Sequence, residues 1–248
     1  MGNPDAKLRS VSPVFRLAAL PLACHFFLAA QDGAAILAKA DRFRHPWPSF
    51  SVEATILDGA SEQKWQVIAR ENGDAVAKGV SEKEKGRSVH CIGGQMWLVV
   101  PGSRRPHKVT PQQRLMGAAA GGDLANARLS DAYSVGSLAP ELFEGKECHR
   151  LRLEAKAKSE SYRIIDLLVD RADGAPLVAT CYFGSGKLAR TVRFGPTAKS
   201  GDAKVLTGMS IKDQKGSEIR MTFESWRPIK ADPSDFELPM VAKAEKQR

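Results

Sequence analysis

From Phe50 to Trp226 the chain alternates between apolar and polar positions far more often than it repeats at helical spacing. Phe50, Val52, Ala54 and Ile56 interleave with Ser51, Glu53 and Thr55, and Trp65, Val67 and Ala69 keep the same period of two. Such alternation predicts strands with one buried and one wet face. The turn ENGD at 71–74 leads into AVAKGV, then SVHCIGG and the apolar run MWLVV. HRLRLEAKAK is sharper still: His149, Leu151, Leu153, Ala155 and Ala157 share one side, and Arg150, Arg152, Glu154, Lys156 and Lys158 the other. That contrast belongs to an antiparallel sheet wetted on one face. YRIIDLLVD, LVATCYF, LARTVRF, KVLTGMSI and EIRMTFESW follow, separated by ADGAP, GSGK and DQKGS. These turns carry the Gly, Asp or Pro that short hairpins need. About ten or eleven strands in such a meander predict a mainly β fold curving toward a barrel.

Helical patterns are few. In AAILAKADRFR, Ile36, Ala40 and Phe43 repeat on one face, Asp32 is a candidate cap, and the prolines of HPWPSF end the run. Thr110 before Pro111 is a cap followed by proline at the first helical position. Asp123 can cap LANARLSDAY, so residues 110–133 read as a helical insertion between two runs of strands, placed where a flap would be attached. No boundary divides 31–240, which is expected to be one domain, and residues 241–248 read as a frayed tail.

The first thirty residues differ. Lys7, Arg9 and Arg16 precede LAALPLACHFFLAA, an apolar run of 14 residues that is short for a bilayer span and ends on Ala29 and Ala30. Residues 1–30 therefore read as a cleaved secretory signal peptide. Cys24 follows small residues as in bacterial lipoproteins, but Pro21 and the apolar residues beyond Cys24 favour cleavage over lipid anchoring.

Composition adds a sign. The 248 residues are 43% hydrophobic and 26% charged, with a formal charge of +9. Only +2 of that belongs to residues 1–30. Such a surface favours anionic partners, an anionic membrane among them. Cys91, Cys148 and Cys181 are too odd a number for a closed disulfide framework. His90–Cys91 and Cys148–His149 invite a metal reading, but adjacent strand residues face opposite ways, so no metal site is expected. FGSGK at 183–187 lacks the spacing and setting of a phosphate loop and reads as a hairpin turn. No nucleophile elbow or His-Glu-x-x-His motif occurs, and Asp166 stands without a catalytic partner near it in sequence. Neither catalysis, a cofactor nor nucleic-acid binding is expected.

MWLVVPGSRRPHKVTPQQRLMG followed by GGDLANARLSDAY, from Met96 to Tyr133, resembles the bacterial outer-membrane lipoprotein-sorting proteins, the LolA-like periplasmic carriers. HRLRLEAK, Tyr162, the turn before Pro176, GSGKLARTVRF and the closing DFELP at 235–239 extend the resemblance over roughly 36–239. It implies an incomplete, strongly curved antiparallel barrel, with helices forming a lid over a hydrophobic cavity that holds acyl chains. The expected function is then a non-catalytic periplasmic carrier of lipoproteins or lipids towards the outer membrane. Its partners would be an acylated cargo, an inner-membrane donor transporter and an outer-membrane acceptor. The alternative is a lipid-responsive sensor or regulatory module of the same fold acting on a membrane protein.

The run from strand to basic turn to helix suits that role. A sixteen-carbon chain exposed to water loses on the order of 12 kcal/mol relative to an apolar site, so it crosses water only in a sheath. The residues expected to line cavity and lid are Trp65, Trp97, Val99, Leu115, Met116, Leu124, Phe183, Met221 and Phe223, with Arg104, Arg105 and Arg114 at a headgroup or membrane rim.

Overall fold

The computed structural model describes residues 23–103, 105–110, 113 and 128–238. Residues 1–22 of the expected signal peptide, the tail from 239 and most of the 110–133 insertion lie outside them. Helix α1 (Ala23–Asp41) runs on through the expected processing site, so Asp32 lies inside the helix rather than capping it. Fifteen strands follow among the described residues. The first six are β1 (Ser49–Asp58), β2 (Ser61–Arg70), β3 (Ala75–Gly79), β4 (Ser88–Ile92), β5 (Gln95–Val99) and β6 (His107–Val109). A one-turn helix α2 (Leu129–Ala132) then leads into β7 (Tyr133–Phe143), β8 (Lys146–Ala155), β9 (Ile164–Asp170), β10 (Pro176–Tyr182) and β11 (Leu188–Phe194). Strands β12 (Thr197–Ser200), β13 (Ala203–Leu206), β14 (Gly208–Asp213) and β15 (Glu218–Pro228) and a 3-10 turn (Pro233–Phe236) close the chain.

Thirteen strands form one antiparallel sheet in the order β6-β5-β4-β3-β2-β1-β15-β14-β11-β10-β9-β8-β7, and β12–β13 make a separate ribbon. The sheet is a meander of hairpins with two exceptions. β11 pairs with β14 across the inserted β12–β13 ribbon. The first strand pairs with the last, Phe50 opposite Pro228 and Asp58 opposite Ile219, and so joins two runs of hairpins side by side. The fold is mainly β, an open curved antiparallel sheet, as the alternation and the resemblance led one to expect. It has more strands than the ten or eleven counted from sequence. β6 has three residues, β7 carries Gly136 and Pro140, and KVLTGMSI breaks at Thr207 into β13 and β14.

The two halves of the concave face are filled differently. On the β7–β11 side, α1 lies against β7 and α2 and contributes Leu37 and Ala40 to the core, with Phe43 just beyond its end. These join Leu151 and Leu153 of β8, Ile165, Leu167 and Val169 of β9, and Ala179 and Cys181 of β10. The helix comes so close that a Cβ on Gly33 would stand 2.8 Å from Val135 Cγ1. Side chains 151, 153, 165, 167, 169 and 181 are at most 1% exposed, so this half is a packed core. The other half, under β1–β6 and β15, has no helix over it among the described residues.

Candidate functional site

This half, uncovered among the described residues, holds a cavity of about 310 Å³. Strand register explains its walls. Ala54 faces Trp65, which faces Gly79; Val52 faces Val67, then Ala77, Val89 and Leu98 in turn; Ala75 faces Cys91, then Met96 and Val109. Each row runs across strands on the inner face, because side chains of one parity share a face of the sheet. All of these except Gly79 line the cavity, as do Phe50 and Ile56.

β15 supplies the last wall through a bulge. Its register with β1 slips between Ser51 and Glu53, and Ser225 takes a left-handed φ of 55°. The extra residue lets Phe223 and Trp226, three apart, both face inward. The Trp226 indole N–H donates to the Leu206 carbonyl at 3.0 Å, and its ring lies 5.3 Å from that of Phe50. At this end the cavity is walled by aromatic rings.

Four polar side chains touch the cavity: Arg44, Gln63, Glu84 and Arg87. Arg44, at the aromatic end, is buried and donates to Asp41 Oδ1 at 2.8 Å. Asp41 in turn accepts the backbone N–H groups of Leu129 (3.1 Å) and Ser130 (2.8 Å), so one carboxylate joins α1, Arg44 and the start of α2. Beside it, both ring nitrogens of His45 are buried with no hydrogen-bond partner among the described residues. Burial, with Arg44 and Arg128 adding repulsion against an attractive Asp41, lowers the His45 pKa to about 3, so the ring is neutral at pH 7.

At the opposite end the connection from Val80 to Arg87 folds inward over Gly79. Glu84 is buried and pairs with Arg87 at 2.9 Å, while the Arg87 side chain is about half exposed (47%). Gln63 accepts from the Trp65 indole N–H at 3.3 Å. Each charged group on the cavity wall thus has a counter-charge of its own, which leaves the interior an apolar surface with polar ends.

Of the residues expected to line a cavity, Trp65, Met221 and Phe223 do so. Trp97 and Val99 do not: they stand on the outer face of β5, and their neighbours Met96, Leu98 and Val100 line the cavity instead. MWLVV is apolar at both parities, so alternation gave no face, and a choice wrong by one residue inverts the strand. Phe183 packs against the core of the filled half rather than in the cavity. Arg105 is exposed in the turn between β5 and β6, its carbonyl accepting from Ser103 Oγ at 2.8 Å. Arg104, Arg114, Leu115, Met116 and Leu124 lie outside the described residues, as does the body of the expected helical lid. Thr110 N–H donates to Gln113 Oε1 (2.9 Å) and Gln113 N–H to Thr110 Oγ1 (3.3 Å), a reciprocal capping pair. Sequence reasoning passed over Val52, Val67, Ala77, Val89 and Trp226 as site residues. The first two were legible, since they share their parity with Trp65 and Phe50.

Comparison with known proteins bears on the fold. A family model described as "Uncharacterized protein", DUF1329-like, matches residues 80–238. No curated protein matches the chain. A LolA superfamily protein from Nitrosomonas europaea superposes with a TM-score of 0.74 at 24% identity, covering 84% of this chain and 97% of the other. A putative outer membrane lipoprotein-sorting protein domain from Vibrio parahaemolyticus gives 0.69 at 20% identity, with the same coverage of 84% and 97%. A DUF1329 family protein from Desulfovibrio piger gives 0.70 at 16% identity, again covering 84% and 97%.

Proposed function

This chain belongs to the DUF1329-like family whose model spans residues 80–238 and has a LolA-like fold, and on that premise we propose that it is a non-catalytic carrier of acylated cargo. In this reading an acyl chain of a lipid or lipoprotein lies in the cavity under β1–β6 and is carried through the periplasm towards the outer membrane. An inner-membrane transporter would supply it and an outer-membrane acceptor receive it.

The observation that carries the reading is an apolar cavity left open by one half of a sheet whose other half is packed solid. A protein that needed only a core would fill both, because an empty apolar space forfeits dispersion contacts along its whole lining. Ligand pockets run from roughly 300 Å³ to 1,000 Å³, so a cavity of about 310 Å³ suits one chain better than several. The lining fits as well, with aromatic rings at one end and Gln63 and Arg87 at the other, where a polar head would meet water.

The test is native mass spectrometry of delipidated protein incubated with palmitate or a synthetic acylated lipopeptide. A one-to-one adduct, followed by transfer of the labelled cargo between vesicles, is expected. A bare mass with every ligand would remove the carrier reading. Stable binding without transfer would favour the sensor.

A further inference from the structure

Trp97 and Val99, excluded from the cavity, leave a large aromatic and an aliphatic side chain on the convex side of the sheet. Their neighbours are cationic. Register sets Val99 opposite Ser88 and Ser88 opposite Lys78, and Trp97 opposite Lys108. The Lys108 ammonium lies 5.6 Å from the Trp97 ring centroid. Val80, at the end of β3 on the same parity as Lys78, is 55% exposed. Beyond these strands the 80–87 and 100–106 turns meet, since a Cβ on Gly86 would touch Pro101 at 3.1 Å. Lys83, Lys85 and Arg105 are exposed on those turns, while Arg87 lines the cavity. Those three and the two strand lysines make five cations against one exposed carboxylate, Glu82, which is already paired with Lys85 at 3.6 Å. Lys78, Lys83, Arg105 and Lys108 therefore have no acidic partner among the described residues.

We propose that this convex face, centred on Trp97 and Val99 between Lys78 and Lys108 and edged by the exposed cations of the two turns, docks on an anionic lipid surface. The chemistry is that of a peripheral membrane contact: a tryptophan and valines to sit among headgroups, and long flexible cations to meet lipid phosphates. The basic turns adjoin the Gln63–Arg87 end of the cavity, so docking brings the open end of the cavity to the bilayer. The proposal rests on the carrier reading only for its purpose, because the face lies outside the cavity and can be measured alone.

The experiment is co-sedimentation of the full chain with phosphatidylcholine vesicles and with phosphatidylcholine–phosphatidylglycerol vesicles, at low and high salt, alongside uptake of a fluorescent fatty acid. Binding is expected only to the anionic vesicles and is expected to fall with salt. The pair Lys78→Gln and Lys108→Gln, both on exposed positions, should weaken it about fivefold for each lysine lost. Trp97→Ser should weaken it further, and fatty-acid uptake should be unchanged in the lysine pair. Equal binding to both vesicle types, wild-type binding by the lysine pair, or capture by polyglutamate without vesicle binding would each overturn the docking face. Lost fatty-acid uptake with intact vesicle binding would instead strike the carrier reading and spare the face.

Discussion

A Cβ placed on Gly79 would stand 2.2 Å from the carbonyl oxygen of Glu84. Gly79 has an ordinary backbone conformation, so the glycine is required by this close approach and not by its φ. The connection from Val80 to Arg87 is thereby seated against the inner face of β3, in the row continued by Trp65 and Ala54. It forms the rim of the cavity end that Gln63 and Arg87 border.

Gly79→Ala forces that connection outward, because the obstacle is backbone and cannot swing aside. A loss of roughly 1–3 kcal/mol, typical of overpacking, is expected in urea titrations. Dissociation of a bound fatty-acid probe should quicken at the same time. Unchanged dissociation would show that ligand leaves elsewhere.

Ala77 lies mid-row between Val67 and Val89 on the cavity wall. Ala77→Phe should fill the hollow, abolish fatty-acid uptake and leave the urea midpoint equal or higher. A solid core would respond oppositely, losing about 1–3 kcal/mol.

Asp41 is buried and holds Arg44 together with two N–H groups of α2. Asp41→Ala leaves a buried guanidinium without its carboxylate, which costs about 3–5 kcal/mol. Hydrogen exchange should quicken first at Leu129 and Ser130. Asp41→Asn keeps an acceptor but loses the charge, and should fall between the two.

His45 predicts an acid sensitivity of definite sign. Its folded pKa is depressed from 6.5 to about 3, so the unfolded chain takes up the proton first as pH falls. The stability due to the neutral ring is complete above pH 6.5 and is lost between 6.5 and about 3, at up to roughly 1.4 kcal/mol per pH unit. His45→Phe, which keeps the edge contact with Phe50, should flatten the slope of stability against pH in that window. An unaltered slope would assign the acid response to other groups. Asp74 begins to respond below its ordinary range: burial raises its carboxyl, but hydrogen bonds from Arg70, Gly93 and Asn72 more than offset that and hold it low.

Ser225 holds φ at 55° in the bulge that turns Trp226 inward. Ser225→Gly should stabilise by up to about 1–2 kcal/mol, the usual cost of the left-handed region for a residue with a Cβ. Ser225→Val should destabilise and should change the fluorescence of Trp226.

The fold was legible wherever one parity was apolar and the other charged, as in HRLRLEAKAK, and the rows of the cavity wall follow from that alternation once register is known. It was illegible where both parities were apolar, which is why Trp97 and Val99 were set on the wrong face. β7 escaped because Gly136 and Pro140 interrupt its pattern. It is an edge strand, where a proline removes no ladder bond that the sheet requires. The hollow itself could not be read from periodicity, since a filled and an empty interior ask for the same alternation. What separates them is the reach of α1, which packs on β7 and stops at Asp41.

The pairing of β1 with β15 has a consequence in time. Every other contact between neighbouring strands of the large sheet links segments close in the chain or a few turns apart, whereas this seam waits for the last strand. Its long loop closure makes it slow, and until it zips two partial sheets carry raw edges. A ribosome must release nearly the whole polypeptide before this seam can close, so the joining of the two halves is left to the end of synthesis.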